Sequence, residues 1–146
     1  MQNQINITPA NLENREAIVS LLQSARLPVE DLPHQLQNFY IAMENSYVVG
    51  AIGLETFERS GLLRSLIVKP EYRKMKIASA LVNEIESLGR RLGLTNIYLL
   101  TETAKDYFDR KGYETIERTE APESLKQSSE FSHVCPSTAV LMKKKL

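Results

Sequence analysis

The sequence predicts a single α/β domain, a mixed and mostly antiparallel sheet with helices packed on its faces. Three observations carry this. Short apolar runs alternate with segments of helical periodicity in the order β-α-α-β-β-β-α-β-α-β-β, which suits one layered core. Ile77, Leu81, Ile85, Leu88 and Leu92 follow spacings of four, four, three and four, the apolar face of one long helix. A chain of 146 residues with 42% hydrophobic and 25% charged content matches one ordinary globular domain.

Taken in order, Ile5-Asn6-Ile7 alternates and stops before Pro9, as a short first strand would. Asn11 can cap a helix reaching about Ala25, whose Leu12, Ile18, Leu21 and Leu22 share a face. Glu13 and Glu16 fall in its first turns, where the helix dipole favours them. Leu27-Pro28 breaks that helix. A shorter one is expected from Glu30 to Asn38, with Pro33 in its first turn, and these pieces could form a flap. Residues 39–44 and 47–57 read as strands joined around Asn45-Ser46. Residues 58–61 form the next turn, and 62–68 the fourth strand. The long helix is expected from about Lys74 to Leu92, with Gly93 at its C′ position. Residues 96–101 form an apolar strand, 103–111 a short helix ended by Gly112, 113–117 a sixth strand and 138–143 the last. The polar connection 118–137 holds Pro122, Pro136 and a helical turn around residues 123–127; loops of that length are usually functional or disordered.

Composition removes several function classes. Eighteen basic and eighteen acidic residues give zero formal net charge, so no global field draws the chain to nucleic acid or an anionic membrane. The closing Lys143-Lys144-Lys145 is expected to solvate a sheet edge. Cys135 is the only cysteine, and His34 and His133 lie far apart, so neither a disulfide nor a zinc-ligand spacing is present and no metal is expected. No apolar run approaches the ~20 residues of a membrane span. Met1 to Gln4 lacks the character of a signal peptide, and the cytoplasm is the expected location.

The segment from Ser65 to Val82 carries the chemistry. An apolar strand ends at Pro70, passes through a basic turn and opens into the amphipathic helix. The N–H groups of a helix's first turn lack intrahelical partners and sit at the positive end of its dipole, so this arrangement can hold a phosphate. Arg73, Lys74 and Lys76 add full positive charge there. A basic helix start that holds nothing is the alternative.

The pattern Val68-x-Pro70-x-x-Arg73-x-x-x-x-Ala78 resembles motif A of the GCN5-related N-acetyltransferases (GNAT family), in which Arg/Gln-x-x-Gly-x-Gly/Ala grips the pyrophosphate of acetyl-CoA. Arg73 and Ala78 fit; Lys76 stands at a usual glycine and Lys74 at another frequent one. Glycine there permits positive φ and close approach of the backbone, and lysine could compensate by charge. The resemblance implies acetyl-CoA as co-substrate. It implies main-chain contacts from Leu66, Ile67 and Val68 to the pantetheine arm and thioester, and a pyrophosphate site formed by Arg73, Lys74, Met75, Lys76, Ile77, Ala78 and Ser79. It also implies a small-molecule amine acceptor, and a homodimer only as a family-level expectation.

Ala104-x-x-Tyr107-Phe108-x-x-x-Gly112-Tyr113 is similar to the family's Ala-x-x-Phe-Tyr-x-x-x-Gly-Phe, with the aromatic pair reversed. In many members that tyrosine can protonate the leaving thiolate. Tyr107 is the candidate here, although neighbouring helix positions point ~100° apart and both rings could simply pack. Four blocks, 53–55, 63–66, 99–101 and 130–139, further resemble small acetyltransferases of arsenic-resistance operons, which implies an amino-acid-like acceptor, including arsenic- or phosphorus-containing glutamate analogues.

Glu55 ends the apolar run 48–54 and is the candidate general base or ammonium-binding group. A hairpin centred near Arg59 would pair residues whose numbers sum to ~119, setting Glu55 opposite Arg64. A carboxylate beside a guanidinium suits ammonium binding better than proton abstraction. A cross-strand ion pair with no catalytic role is the other reading. Arg64 could instead take an acceptor carboxylate through its guanidinium fork; Ser65 should then face the other way unless a bulge intervenes. Cys135 with His133 could form a nucleophile pair, but no orienting group is evident and a packed cysteine is the plainer reading. Direct transfer in a ternary complex is therefore expected. The rivals are a GNAT-fold module that binds CoA without turnover, and an oligomerisation domain with an empty pocket.

Overall fold

The computed structural model describes residues 5–27, 29, 32, 36–128 and 139–146. Its strands form one sheet: β1 (Ile5–Pro9), β2 (Phe39–Glu44), β3 (Tyr47–Phe57), β4 (Ser60–Val68), β5 (Asn96–Thr101), β6 (Glu114–Ile116) and β7 (Val140–Lys145), in spatial order β1-β2-β3-β4-β5-β7-β6. Neighbours run antiparallel except β4 and β5. The helices are α1 (Arg15–Ser24), α2 (Ile77–Arg91), α3 (Lys105–Arg110) and α4 (Glu123–Lys126). The expected α/β architecture is thus the observed one. The helix expected at 30–38 and the block 130–138, with Cys135, His133 and His34, lie largely outside the described residues.

Alternation along the strands builds a core on each face. Ala42, Ile52, Leu54 and Leu63 pack against Leu81, Ile85 and Leu88 of α2. Their sequence neighbours Ile41 and Ala51, with Phe39, meet Ile18 and Leu22 of α1 on the other face. Leu125 of α4 closes a smaller cluster over Leu62, Tyr98 and Leu141. Gly53 fits because a Cβ there would come within 2.5 Å of the Phe39 ring.

Several boundaries differ from expectation. Helix α2 begins at Ile77, not Lys74, because residues Pro70–Met75 form a 3₁₀ turn and Lys76 has φ +60°. A left-handed residue cannot continue a right-handed helix, so α2 starts after it. Leu92 is 48% exposed rather than on the apolar face, since it caps α2 from outside the last helical turn. Strand β1 continues through Pro9, tolerated because β1 is an edge strand. Strand β7 lies between β5 and β6, so its lysines do not solvate an edge: Lys144 Nζ is 3.1 Å from Glu86 Oε1 under α2 and donates to Lys111 O at 2.9 Å. The β3–β4 turn is the two residues Glu58-Arg59, with Glu58 at φ +58°. It displaces the register by two from expectation, pairing Glu55 with Leu62 and Arg64 with Gly53.

Candidate active site

The site begins with a break in the sheet. Strands β4 and β5 pair only over Ser60–Leu62 and Asn96–Tyr98, then part. The cause lies within β4: its register against β3 shifts between Ala51 and Gly53, and Ser65 takes φ +59°. The extra residue of this β-bulge increases local twist and bends the strand. A cleft of about 610 Å³ results, walled by Leu63–Ile67 on one side and by Leu99–Ala104 on the other, with Ala25–Leu27, Arg73 and Phe108 also lining it. Backbone groups of two parted strands face each other across it, available to a ligand that mimics a strand.

Arg73 binds the cleft to the turn before α2: it lines the cleft, and its Nε donates to Val68 O at 3.3 Å. Tyr72 fastens the same turn to β2 by donating its hydroxyl to Glu44 Oε1, and this bond to a carboxylate raises the phenol's pKa. Nothing in the sequence pointed to Glu44. Lys76 takes the left-handed conformation that glycine adopts freely, and its side chain makes no capping bond to α2. The first turn of α2 (Ile77, Ala78 and Ser79) therefore offers main-chain donors with no intrahelical acceptor. Arg73 and Lys76 set two cationic side chains beside that helix start.

The bulge brings Arg64 and Ser65 to one place: Arg64 Nε donates to Ser65 Oγ at 3.1 Å, and both line the cleft. Arg64 is almost fully buried, and its Nη1 lies 2.6 Å from Glu55 Oε1. The pair forms although the two residues are not directly opposite, because displacement by two keeps both on the same face. Glu55 does not itself line the cleft. Phe108 is buried and does line it, whereas the hydroxyl of Tyr107 lies 3.1 Å from Ser79 Oγ. Of the three residues 66–68, Leu66 and Ile67 line the cleft and Val68 does not.

Two contributors were not foreseen. Arg26 follows α1 at φ +58°, and Arg26 and Leu27 donate their N–H groups back to Gln23 O and Leu22 O. This is the helix-ending geometry in which glycine is usual; an arginine held there projects at the cleft. Thr101 Oγ1 accepts the Ala104 N–H at 3.0 Å and so fixes the turn from β5 into α3. Among the described residues no group of His, Cys, Asp and Glu could hold a metal ion, and no helix is long and apolar enough to cross a membrane.

The sheet thus opens between two parallel strands beside a basic helix N-terminus, a place suited to an anionic group. A family model for the acetyltransferase (GNAT) domain matches residues 35–115, more than half of the chain. The chain is 24% identical over 126 residues to the amino-acid acetyltransferase of Edwardsiella ictaluri, covering 80% of this chain and 29% of that protein. It thus spans less than a third of the length of such curated relatives. Among solved structures, Rv2747 from Mycobacterium tuberculosis in complex with CoA and NLQ superposes with TM-score 0.84 at 24% identity, over 97% of this chain and 99% of that one. N-acetylglutamate synthase from Neisseria gonorrhoeae, complexed with coenzyme A and N-acetyl-glutamate, gives TM-score 0.83 at 18% identity, over 100% of this chain and 36% of that one.

The chain belongs to the GNAT acetyltransferase family.

Proposed function

We propose that this chain acetylates the α-amine of a small amino acid bearing a carboxylate, with glutamate and its analogues the leading candidates. The observation that carries the reading is the parted β4–β5 seam, which runs from the parting strands to the α2 turn with guanidinium groups along it. The names of the relatives and the N-acetyl-glutamate in a solved neighbour support the acceptor class. Arsenic- and phosphorus-containing glutamate analogues fall in the same class; the resemblance to arsenic-resistance acetyltransferases rests on sequence blocks alone.

The chain's residues divide the work. Arg73, Lys76 and the first-turn N–H groups of α2 bind the pyrophosphate, and the β4 main chain at Leu66–Val68 holds the pantetheine and thioester. Acetyl-CoA supplies an acyl group already activated as a thioester. Holding amine and thioester together replaces a bimolecular encounter by an oriented one. The neutral amine attacks the carbonyl carbon, the C–S bond breaks, and the amine's surplus proton leaves as the thiolate gains one. The products are amide and free CoA thiol. Arg26 lines the cleft, and we assign it to the acceptor carboxylate. Glu55 serves as the counter-ion that orients Arg64 at the cleft wall.

Calorimetric titration with acetyl-CoA tests the first half; saturable micromolar binding is expected. A thiol-release assay over an amino-acid panel tests the second. Arg26→Ala should raise KM for dicarboxylic acceptors more than tenfold while leaving KM for acetyl-CoA unchanged. Binding of CoA without thiol release from any amine would instead support the non-catalytic module.

A further inference from the structure

The adjacent aromatics Tyr107 and Phe108 occupy different environments. Phe108 is buried in the cleft wall and meets Tyr107 and Tyr113 edge to face, with ring centroids 5.1 and 5.3 Å away. Tyr107 is not part of the cleft lining, and its hydroxyl lies 3.1 Å from Ser79 Oγ. Ser79 is the third residue of α2, and Tyr107 is the third of α3. A serine near a helix start ordinarily bonds its own local backbone. This one reaches a partner 28 residues away.

Among the described residues, no other side-chain hydrogen bond ties the first turn of α2 to a distant element, although Tyr72 ties the turn before it to β2. Lys76 precedes α2 in the left-handed conformation and contributes no side-chain cap, and a 3₁₀ turn rather than a strand leads into it. The first turn of α2 is the one whose main-chain donors face the pyrophosphate position. Helix α3 stands directly after the far wall of the cleft, and Thr101 fixes its start. The hydroxyl pair therefore joins the anion-binding turn to the opposite side of the parted seam.

We propose that Tyr107 is a positioning residue that acts through Ser79, holding the first turn of α2 where its N–H groups receive the pyrophosphate of acetyl-CoA. The inference rests on the acetyl-CoA reading above. It separates two roles that the reversed aromatic pair leaves open: Tyr107 serves cofactor affinity, and the thiolate leaves without protonation by this phenol.

The test measures calorimetric Kd for acetyl-CoA, kcat, KM and the pH–rate profile for wild type, Tyr107→Phe, Ser79→Ala and the double variant, with unfolding midpoints as a check on folding. One lost hydroxyl pair corresponds to a three- to tenfold effect, to order of magnitude. Each single variant should weaken acetyl-CoA binding by about that factor, keep kcat within about twofold at saturation and leave the basic limb of the profile in place. The double variant should be no worse than either single one. Loss of kcat by about a hundredfold or more in Tyr107→Phe, with a changed basic limb and a near-normal Ser79→Ala, would make Tyr107 the acid and overturn the proposal. Unchanged Kd in both variants would overturn it too. A wild type that binds no acetyl-CoA would remove both the proposal and the reading beneath it, and the wild-type titration alone distinguishes that case.

Discussion

Strand β4 pairs with β3 from Ser60 opposite Phe57 to Val68 opposite Gly50, interrupted only by the bulge at Ser65–Leu66, whereas it pairs with β5 only from Ser60 to Leu62. One strand thus makes a closed seam on one side and an open one on the other. On the closed side backbone groups satisfy one another, and side chains fill both faces with apolar contacts. On the open side the chain accepts unfavourable local geometry: Arg26, Ser65 and Lys76 all have positive φ and all border the cleft or the turn that feeds it. The other non-glycine residues of this kind, Asn38, Asn45 and Glu58, lie in turns, and asparagine adopts the left-handed region readily. Strain of about 1–3 kcal/mol per residue persists only where surrounding structure enforces it. On the proposed function, the closed seam carries stability and the open seam carries binding.

If that division holds, substitutions away from the cleft should move stability and leave acetyl-CoA affinity alone. The largest expected effect is at Glu86, which is buried on α2 and accepts from Lys144 Nζ and from the Tyr113 hydroxyl at 3.0 Å. Glu86→Ala leaves the ammonium of Lys144 without its counter-charge, a loss of about 3–5 kcal/mol by analogy with other buried pairs. Urea unfolding measures it; a loss below about 1 kcal/mol would mean that Lys144 is adequately solvated where it lies. The next effect is pH-dependent. Burial, with the neighbouring Glu86, pushes the Tyr113 phenol far above its ordinary pKa of 10.0. The unfolded chain therefore releases this proton near pH 10 while the folded chain keeps it, so stability is intact below about pH 10 and falls above it. The slope from this residue approaches about 1.4 kcal/mol per pH unit. Tyr113→Phe should be less stable than wild type at neutral pH yet lose stability less steeply between pH 10 and 11. Parallel slopes would show that Tyr113 ionises freely in the folded state.

The same division explains what was legible in the sequence. The closed half is written in periodicity: strands 39–44 and 47–57 and the face of Ile77, Leu81, Ile85 and Leu88 follow directly from spacing. Even the Glu55–Arg64 pair survives a register misjudged by two, because side chains alternate with period two and such a displacement returns each residue to the same face. The open half is not periodic. Ser65 carries no glycine or proline to announce a bulge, so the seam's parting was invisible. Arg26 resembles any helix-ending basic residue, and only the tertiary placement of α1 brings it to the cleft. Tyr107 and Ser79 each looked like a local feature, and their contact spans two helices.

The smallest stability effect bears most directly on the open seam. Lys76 combines a backbone conformation that favours glycine with a positive charge beside the proposed pyrophosphate position. Lys76→Gly removes the left-handed strain, worth roughly 1–2 kcal/mol, but gives back part of it through the greater freedom of glycine in the unfolded chain. A net gain of up to about 1 kcal/mol is expected, with acetyl-CoA affinity falling by only a few fold. Lys76→Glu keeps the strain and reverses the charge within a Debye length of the diphosphate, so affinity should fall about tenfold or more and recover partly as salt is added. Calorimetry at two ionic strengths, alongside urea unfolding, reads both properties on the same preparations. Equal affinity losses in the two variants would mean that charge at this position does not compensate for the missing glycine. A loss of stability in Lys76→Gly would mean that the lysine side chain is itself anchoring the turn.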